Sequence, residues 1–316
     1  MSTYRGGAPM GSEQIDMLII ELNKSMDLKG EYLEFAFNTA PVMQFIAAVF
    51  LFNIAIALAE MLYDAVWMEK RSWKDTAANF FIFVINTFMS TTVIGVVAIV
   101  ALIPFSLLQV YTIPHNLATW ILAIFVADFF YYWMHRIEHK SRILWAFHVV
   151  HHSSEDYNLS TPKRLSWFQD IHEWLFLIPM VLIGFDVFQT IVAFVLVSQY
   201  QGWIHTKKIG KLGVFEYVFN TPSSHRVHHG TAKHHIDKNF GGMFIIWDRM
   251  FGTYQVEDQE VVYGITTNIN SNNPLKINLH EYWNIWQAVR QCSSWRDRCK
   301  VIFGPLNWQP KKREQA

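Results

Sequence analysis

The stretch Asp128-Phe-Phe-Tyr-Tyr-Trp-Met-His135-Arg-Ile-Glu-His139 decides how this sequence reads. Before it, from Thr76 to Ala127, 52 residues pass without a charged side chain. One helical crossing of a hydrocarbon core about 30 Å thick takes about 20 residues, so this run is too long for one crossing and suits two. The break belongs near Pro104 and Pro114, because proline withholds an N–H from the helix. Further back, Phe35–Ala59 gives 25 residues without a charge, enough for one more crossing.

Forward of the opening stretch, Trp174–Tyr200 is apolar but interrupted by Pro179, Gly184 and Asp186. It predicts a membrane hairpin that turns at Gly184–Asp186 and returns to the same side; a single tilted span is the competing reading. Of the 316 residues, 52% are hydrophobic and 16% charged, against about 25% charged in soluble globular chains. The 26 basic and 26 acidic residues balance, which leaves no basic footprint for nucleic acid. High hydrophobicity excludes disorder. Cys292 and Cys299 are too few for a disulfide scaffold and read as reduced thiols. The first 34 residues lack the order of a secretory signal peptide.

Basic residues orient the spans. Lys70, Arg71 and Lys74 follow the first one, whereas Phe105–Leu117 has none. Arg136, Lys140, Arg142, Lys163 and Arg164 follow the third. The expected fold is therefore all-α: multi-pass transmembrane helices with a cytoplasmic His-rich helical cap. The expected divisions are an N-terminal segment 1–34, transmembrane spans 35–127, a catalytic domain 128–253 that includes the hairpin near 174–200, and a cytoplasmic C-terminal segment 254–316. The location would be a bacterial inner membrane or the endoplasmic reticulum.

Histidine spacing carries the chemistry. His135 and His139 are four apart and share a helix face. His148-Val-Val-His151-His152 and His225-Arg-Val-His228-His229 each put three imidazoles on one face, and Trp203-Ile-His205-Thr adds another. Nine neutral imidazoles at a membrane surface need a reason, and metal coordination supplies one. A structural zinc takes four ligands, so nine suit two ions. Imidazole serves zinc, copper, iron and nickel alike. Zinc would imply hydrolysis and iron dioxygen activation; unactivated C–H bonds of lipid chains call for the latter. One rival reading is a zinc-dependent membrane hydrolase or peptidase, because His135-Arg-Ile-Glu138-His139 fits H-x-x-E-H with Glu138 as general base. Another is a non-catalytic metal carrier, disfavoured because the clusters gather at one membrane face.

With these residues in place, the sequence resembles the fatty acid hydroxylase/sterol desaturase superfamily of integral-membrane di-iron oxygenases, and is most similar to its alkylglycerol monooxygenase branch and bacterial relatives. The resemblance rests on His148–Thr161, Trp203–Thr206, Asn220-Thr-Pro-Ser-Ser-His225-Arg-Val-His-His229, Asp237–Gly242 and Trp247–Thr253. It implies His135, His139, His148, His151, His152, His205, His225, His228 and His229 as metal ligands. It implies two iron ions, with zinc replacing them in purified protein. Its partners would be a membrane lipid substrate, dioxygen and a separate electron donor, either tetrahydrobiopterin or a small redox protein. The reaction would be lipid hydroxylation or desaturation. The chain departs from the branch pattern at Lys140, at Ser224 and across Ser160–Arg164.

Asp128 lies seven residues before His135 on the same face, and a carboxylate inside a span is functional by default. The expectation is a partner for a ligand histidine. Glu155, Asp156 and Asn158 stand as orienting groups or turn formers. His115, His172, His234 and His280 are expected outside the site, with a tenth ligand conceivable at His235. Lys311, Lys312 and Arg313 read as a basic tail for anionic headgroups.

Overall fold

The computed structural model describes residues 28–67 and 70–309. The expected N-terminal segment up to residue 27 and the Lys311–Arg313 tail lie outside the described residues. The chain divides into two units, Met1–Ala48 and Val49–Ala316; within the first, residues 28–48 are helical, and everything below concerns the second.

The described residues form helices, with two isolated antiparallel bridges, Phe219 with Phe244 and Gly230 with Tyr263. Helix α1 runs Leu28–Val66. Helices α2 (Trp73–Met89) and α3 (Gly95–Ser106) continue one another through a π-turn at Ser90–Ile94. Helix α4 is Leu117–Glu138 and α5 is Arg142–His152. Short helices α6 (Asp170–Glu173) and α7 (Ile178–Leu182) lead into α8 (Val187–Tyr200). Then come α9 (Pro222–His228), α10 (Ile246–Phe251), α11 (Pro274–Gln291) and α12 (Trp295–Phe303).

Two stretches, Ala40–Val66 and Leu117–Glu138, are long and apolar enough to cross a membrane, and Val187–Tyr200 is a shorter apolar helix. Their large apolar side chains point outward: Leu51, Phe52, Leu58 and Leu62 of α1 and Leu117 and Ile121 of α4 are exposed. A monomer in water seldom displays so continuous an apolar surface, whereas lipid accepts it.

The expected break between the second and third spans falls at residues 107–116. Pro104 still sits inside α3, because the residues after it, not proline itself, end the helix. Asn116 then starts α4 with a capping box, accepting from Thr119 N–H while Thr119 Oγ1 accepts from Asn116 N–H. Residues 170–200 fold back on themselves as a helical hairpin, its first limb broken into α6, a 3₁₀ turn and α7. Gly184 turns with φ 113°, where an added Cβ would also meet Tyr111 O at 2.6 Å. The hairpin tip meets the 107–116 connection: Ile113 N–H donates to Gly184 O at 2.8 Å and Gln109 Nε2 to Phe185 O at 2.8 Å. The hairpin tip and the α3–α4 connection thus lie together. Small residues let α4 and α8 approach closely: Ala123, Ala127, Ala193 and Val197 share a buried cluster with Met180 and Phe185.

Helix α1 continues beyond the expected Ala59, and its extra turns carry charge inward. Arg71 Nη1 lies 2.6 Å from Asp64 and 3.4 Å from Glu60, all with buried side chains. Glu60 also accepts from Leu159 N–H at 2.7 Å and Thr206 Oγ1 at 2.6 Å. Arg164 is fully buried and donates to Asp75 at 2.8 Å. These paired charges tie the ends of α1 and α2 to the segments that carry the histidines.

Candidate metal centre

The end of α4 projects His135, and His139 caps the same helix. Helix α5 carries His148, His151 and His152; α9 carries His225 and His228, with His229 as its C-cap. His205 follows α8. All nine are buried, and they separate into two groups. His135, His139, His148, His152 and His228 form one; His151, His205, His225 and His229 form the other; within each, the donor atoms lie within 4.8 Å of one another. The i,i+4 pairs stay together, and the middle histidine of each triplet crosses to the other group. The groups adjoin, with the His152 and His229 rings stacked at 4.4 Å.

The Nε2 atoms point at one another. In the five-histidine group His135–His148 and His148–His152 are 3.0 Å apart and His152–His228 is 3.1 Å. In the four-histidine group the separations are 3.1 Å for His151–His205, 2.9 Å for His205–His225 and 3.2 Å for His225–His229. With metal–nitrogen bonds of about 2.1 Å, donors at about 90° lie about 3.0 Å apart and tetrahedral ones about 3.4 Å apart. The observed spacing suits ions of five or six ligands better than tetrahedral zinc.

The opposite ring edges are oriented, as metal-binding imidazoles require. His135, His228 and His205 donate from Nδ1 to Phe240 O (2.8 Å), Lys238 O (2.8 Å) and Gln201 O (2.7 Å). His148 Nδ1 faces Glu138 Oε2 at 3.2 Å, and His139 Nδ1 faces Asp237 Oδ1 at 3.5 Å. Burial above all, then the neighbouring imidazoles, pushes His148, His151, His152, His225, His228 and His229 well below the usual histidine range. Burial takes His205 down to about 3. Burial thus favours the neutral form of these seven imidazoles, whose lone pairs can serve a cation. Burial alone would raise Asp237, but the His139 ring and the Lys140 ammonium outweigh it and hold the carboxyl at about 2.

Asp128 does not orient a histidine, contrary to expectation. It accepts from Met243 N–H (2.6 Å), Phe244 N–H (3.0 Å) and Trp247 Nε1 (2.8 Å). Helical spacing places it on the His135 face, but the 240–247 turn closes over it first; a Cβ on Gly242 would meet Asp128 Oδ1 at 2.6 Å. Buried Asp248 grips the other side of this turn through Phe240 N–H and Gly241 N–H, both at 2.8 Å. The two carboxylates thus hold the loop whose carbonyl supports His135. Asp156 and Asn158 brace Ser72 and Arg71 instead of a histidine.

Glu138, read from sequence as a possible general base, has His172 Nε2 at 2.6 Å from Oε1 and His148 Nδ1 at 3.2 Å from Oε2. Oε1 is thus hydrogen-bonded, while Oε2 has no hydrogen-bond partner and only faces the His148 ring. His172 is buried beside it; its place at the start of an apolar hairpin hid this role. His115 pairs with Asp186 away from the centre. His280 lines a cavity of ≈ 450 Å³ that reaches His139, His152 and His228 and has a mixed lining, with Arg142 and Glu281 beside Trp145 and Ile265. A second, more apolar cavity of ≈ 460 Å³ lies against α1, lined by Phe52, Ile56, Leu159, Trp203 and Thr206.

The fatty acid hydroxylase family model matches residues 120–253. Human alkylglycerol monooxygenase is 45% identical over 195 residues, 61% of this chain and 43% of that protein. The ornithine lipid hydroxylase OlsE of Rhizobium tropici is 30% identical over 42% of this chain and 41% of its own. A Delta(7)-sterol 5(6)-desaturase of Aspergillus fumigatus is 28% identical over 44% and 40% respectively. These matches span less than half the length of each relative. No solved structure matches the chain. Over residues 120–253 the chain is thus similar to a fatty acid hydroxylase domain.

Proposed function

We propose that this chain is a multi-pass membrane mono-oxygenase holding two irons, one in each histidine group, that hydroxylates a membrane lipid with dioxygen. The observation that carries the proposal is the pair of adjoining, buried imidazole groups with Nε2 separations of 2.9–3.2 Å. The bound irons would supply dioxygen activation and insertion of one oxygen atom into a C–H bond. The protein's part is to keep nine lone pairs aimed inward. Phe240 O, Lys238 O, Gln201 O and Glu138 face the Nδ1 edges of His135, His228, His205 and His148, so that their Nε2 atoms face the ions.

Basic residues after the first and third spans place this centre at the cytoplasmic face in the proposed topology, where an acyl, sterol or alkyl-ether chain reaches it from the bilayer. Residues 128–253 would be the catalytic domain, 35–127 spans and 254–316 a cytoplasmic segment. The cavity at His139, His152 and His228, edged in part by Arg142, Asp237 and Glu281, would give a water-soluble reductant, such as tetrahydrobiopterin or a redox protein, an approach separate from the lipid side. The departures from the alkylglycerol monooxygenase pattern fall on supports, not donors. Lys140 pairs with Asp237, Lys163 lies over the Phe83 ring, and Ser224 O accepts from Asn239 Nδ2 at 2.8 Å.

The test is purified full-length protein with its metal measured and lipid products traced with labelled dioxygen. Two irons per chain and label in a hydroxylated lipid are expected. One tightly held metal in fully active protein, or turnover without dioxygen, would overturn the proposal.

A further inference from the structure

A third cluster of donor side chains lies apart from the nine histidines. His234, His235 and Asp258 bring their donor atoms within 4.8 Å of one another. His235 is fully buried, yet neither ring nitrogen has a hydrogen-bond partner. Buried polar atoms are nearly always satisfied, so a pair of orphans on one ring calls for an explanation. The nearest carboxylate oxygen, Asp258 Oδ1, is 3.6 Å from His235 Nε2, too far for a hydrogen bond, and 3.3 Å from His234 Nε2. One oxygen thus faces two imidazoles at distances longer than hydrogen bonding prefers.

Those distances fit ligands of one ion. At metal–ligand bonds of about 2.1 Å, separations of 3.3 and 3.6 Å correspond to angles of about 103° and 118°. They bracket the tetrahedral angle, whereas the Nε2 spacing in the nine-histidine groups corresponds to angles near 90°. We propose that His234, His235 and Asp258 form a separate third metal site, tetrahedral and suited to zinc, with water as fourth ligand. The half-exposed Asp258 and His234 leave one side open to solvent, so the ion can arrive and the water can bind.

The site's position gives it a purpose. Asp237, Lys238 and Phe240, which support His139, His228 and His135, follow His235 directly in sequence. Asn239 adopts φ 55° and clasps Gln255 twice, accepting from its N–H at 2.8 Å and donating to its carbonyl at 2.7 Å. An ion joining residues 234 and 235 to 258 reinforces that clasp from its other side. Bound zinc therefore stiffens the loop that aims three of the five imidazoles in the larger group.

The experiment titrates the full-length holoprotein in detergent with zinc. Iron and zinc are counted separately by elemental analysis, and the melting midpoint is recorded. One zinc per chain beyond the resident ions, with a raised midpoint, is expected for the unaltered protein. His234→Ala and Asp258→Asn, both at exposed residues, should each lose that zinc and the rise while keeping the resident ions. Cobalt at the site should show the intense visible absorption of a tetrahedral ion, absent in both variants. No additional zinc in the unaltered protein would reduce the cluster to a plain His–Asp contact and overturn the proposal, as would zinc retained by both variants. The outcome is separate from the two-iron reading, which stands or falls on the resident ions.

Discussion

The two histidine groups differ in how firmly they are held. In the larger group, His135 and His228 donate from Nδ1 to carbonyls and His139 and His148 face carboxylates at 3.5 and 3.2 Å, and a cavity of mixed lining opens beside it. In the smaller group His205 leans on Gln201 O, while the buried Nδ1 atoms of His151 and His225 have no hydrogen-bond partner. Tyr157 instead packs over His205 and His229 and stacks on Tyr263 at 4.5 Å. The larger group has a donor in reserve and an oriented frame; the smaller depends on every donor it has.

The largest expected effect follows from that difference. Any of the nine histidines changed to alanine should reduce lipid oxidation to background. Metal content should separate the groups. His151→Ala or His225→Ala leaves three donors and should drop the count to one ion per chain. His148→Ala or His152→Ala leaves four and should hold close to two. Equal metal loss in both sets would erase the distinction.

Next is Glu138→Gln, which disturbs His148 and His172 together. Loss of an orienting carboxylate costs about 10–100-fold in metal affinity or activity, and the deficit should fall on the larger group's ion alone. An ion lost from the smaller group would show that the two frames are not independent. Asp128→Asn should act through the fold. Removing one charged acceptor from three N–H donors costs about 2–3 kcal/mol, read as a lowered melting midpoint with resident ions retained.

Acid should expose the imidazoles' burial. Their protonation is suppressed in the folded state, so the metal-free unfolded chain binds more protons below its ordinary histidine pKa of about 6.5. Stability is therefore fully present above about 6.5 and is lost as pH falls toward the folded value of about 3 for His205. Denaturation midpoints of metal-free protein across that window check the sign; a flat profile would mean the imidazoles are hydrated. The smallest effect belongs to His115→Ala. Its partly exposed pairing with Asp186 is worth within about 1 kcal/mol, and activity should be unchanged.

What the sequence by itself determined is local. Uncharged length sets which stretches are long enough to cross a bilayer, and the 3.6-residue period puts His135 with His139, His148 with His152 and His225 with His229 on shared faces. Those properties depend on neighbours in the chain. Only the tertiary structure decided that His151 joins His225 and His229 while His228 joins His148 and His152, because that split depends on how α4, α5 and α9 meet. It also decided that Asp128 holds a turn and that Glu138 holds two imidazoles. Period alone cannot tell which of two carboxylates on one helix is reached first by another segment. The supports at Gln201, Lys238 and Phe240 left no trace in the sequence for a simpler reason: they are backbone carbonyls, which every residue type carries.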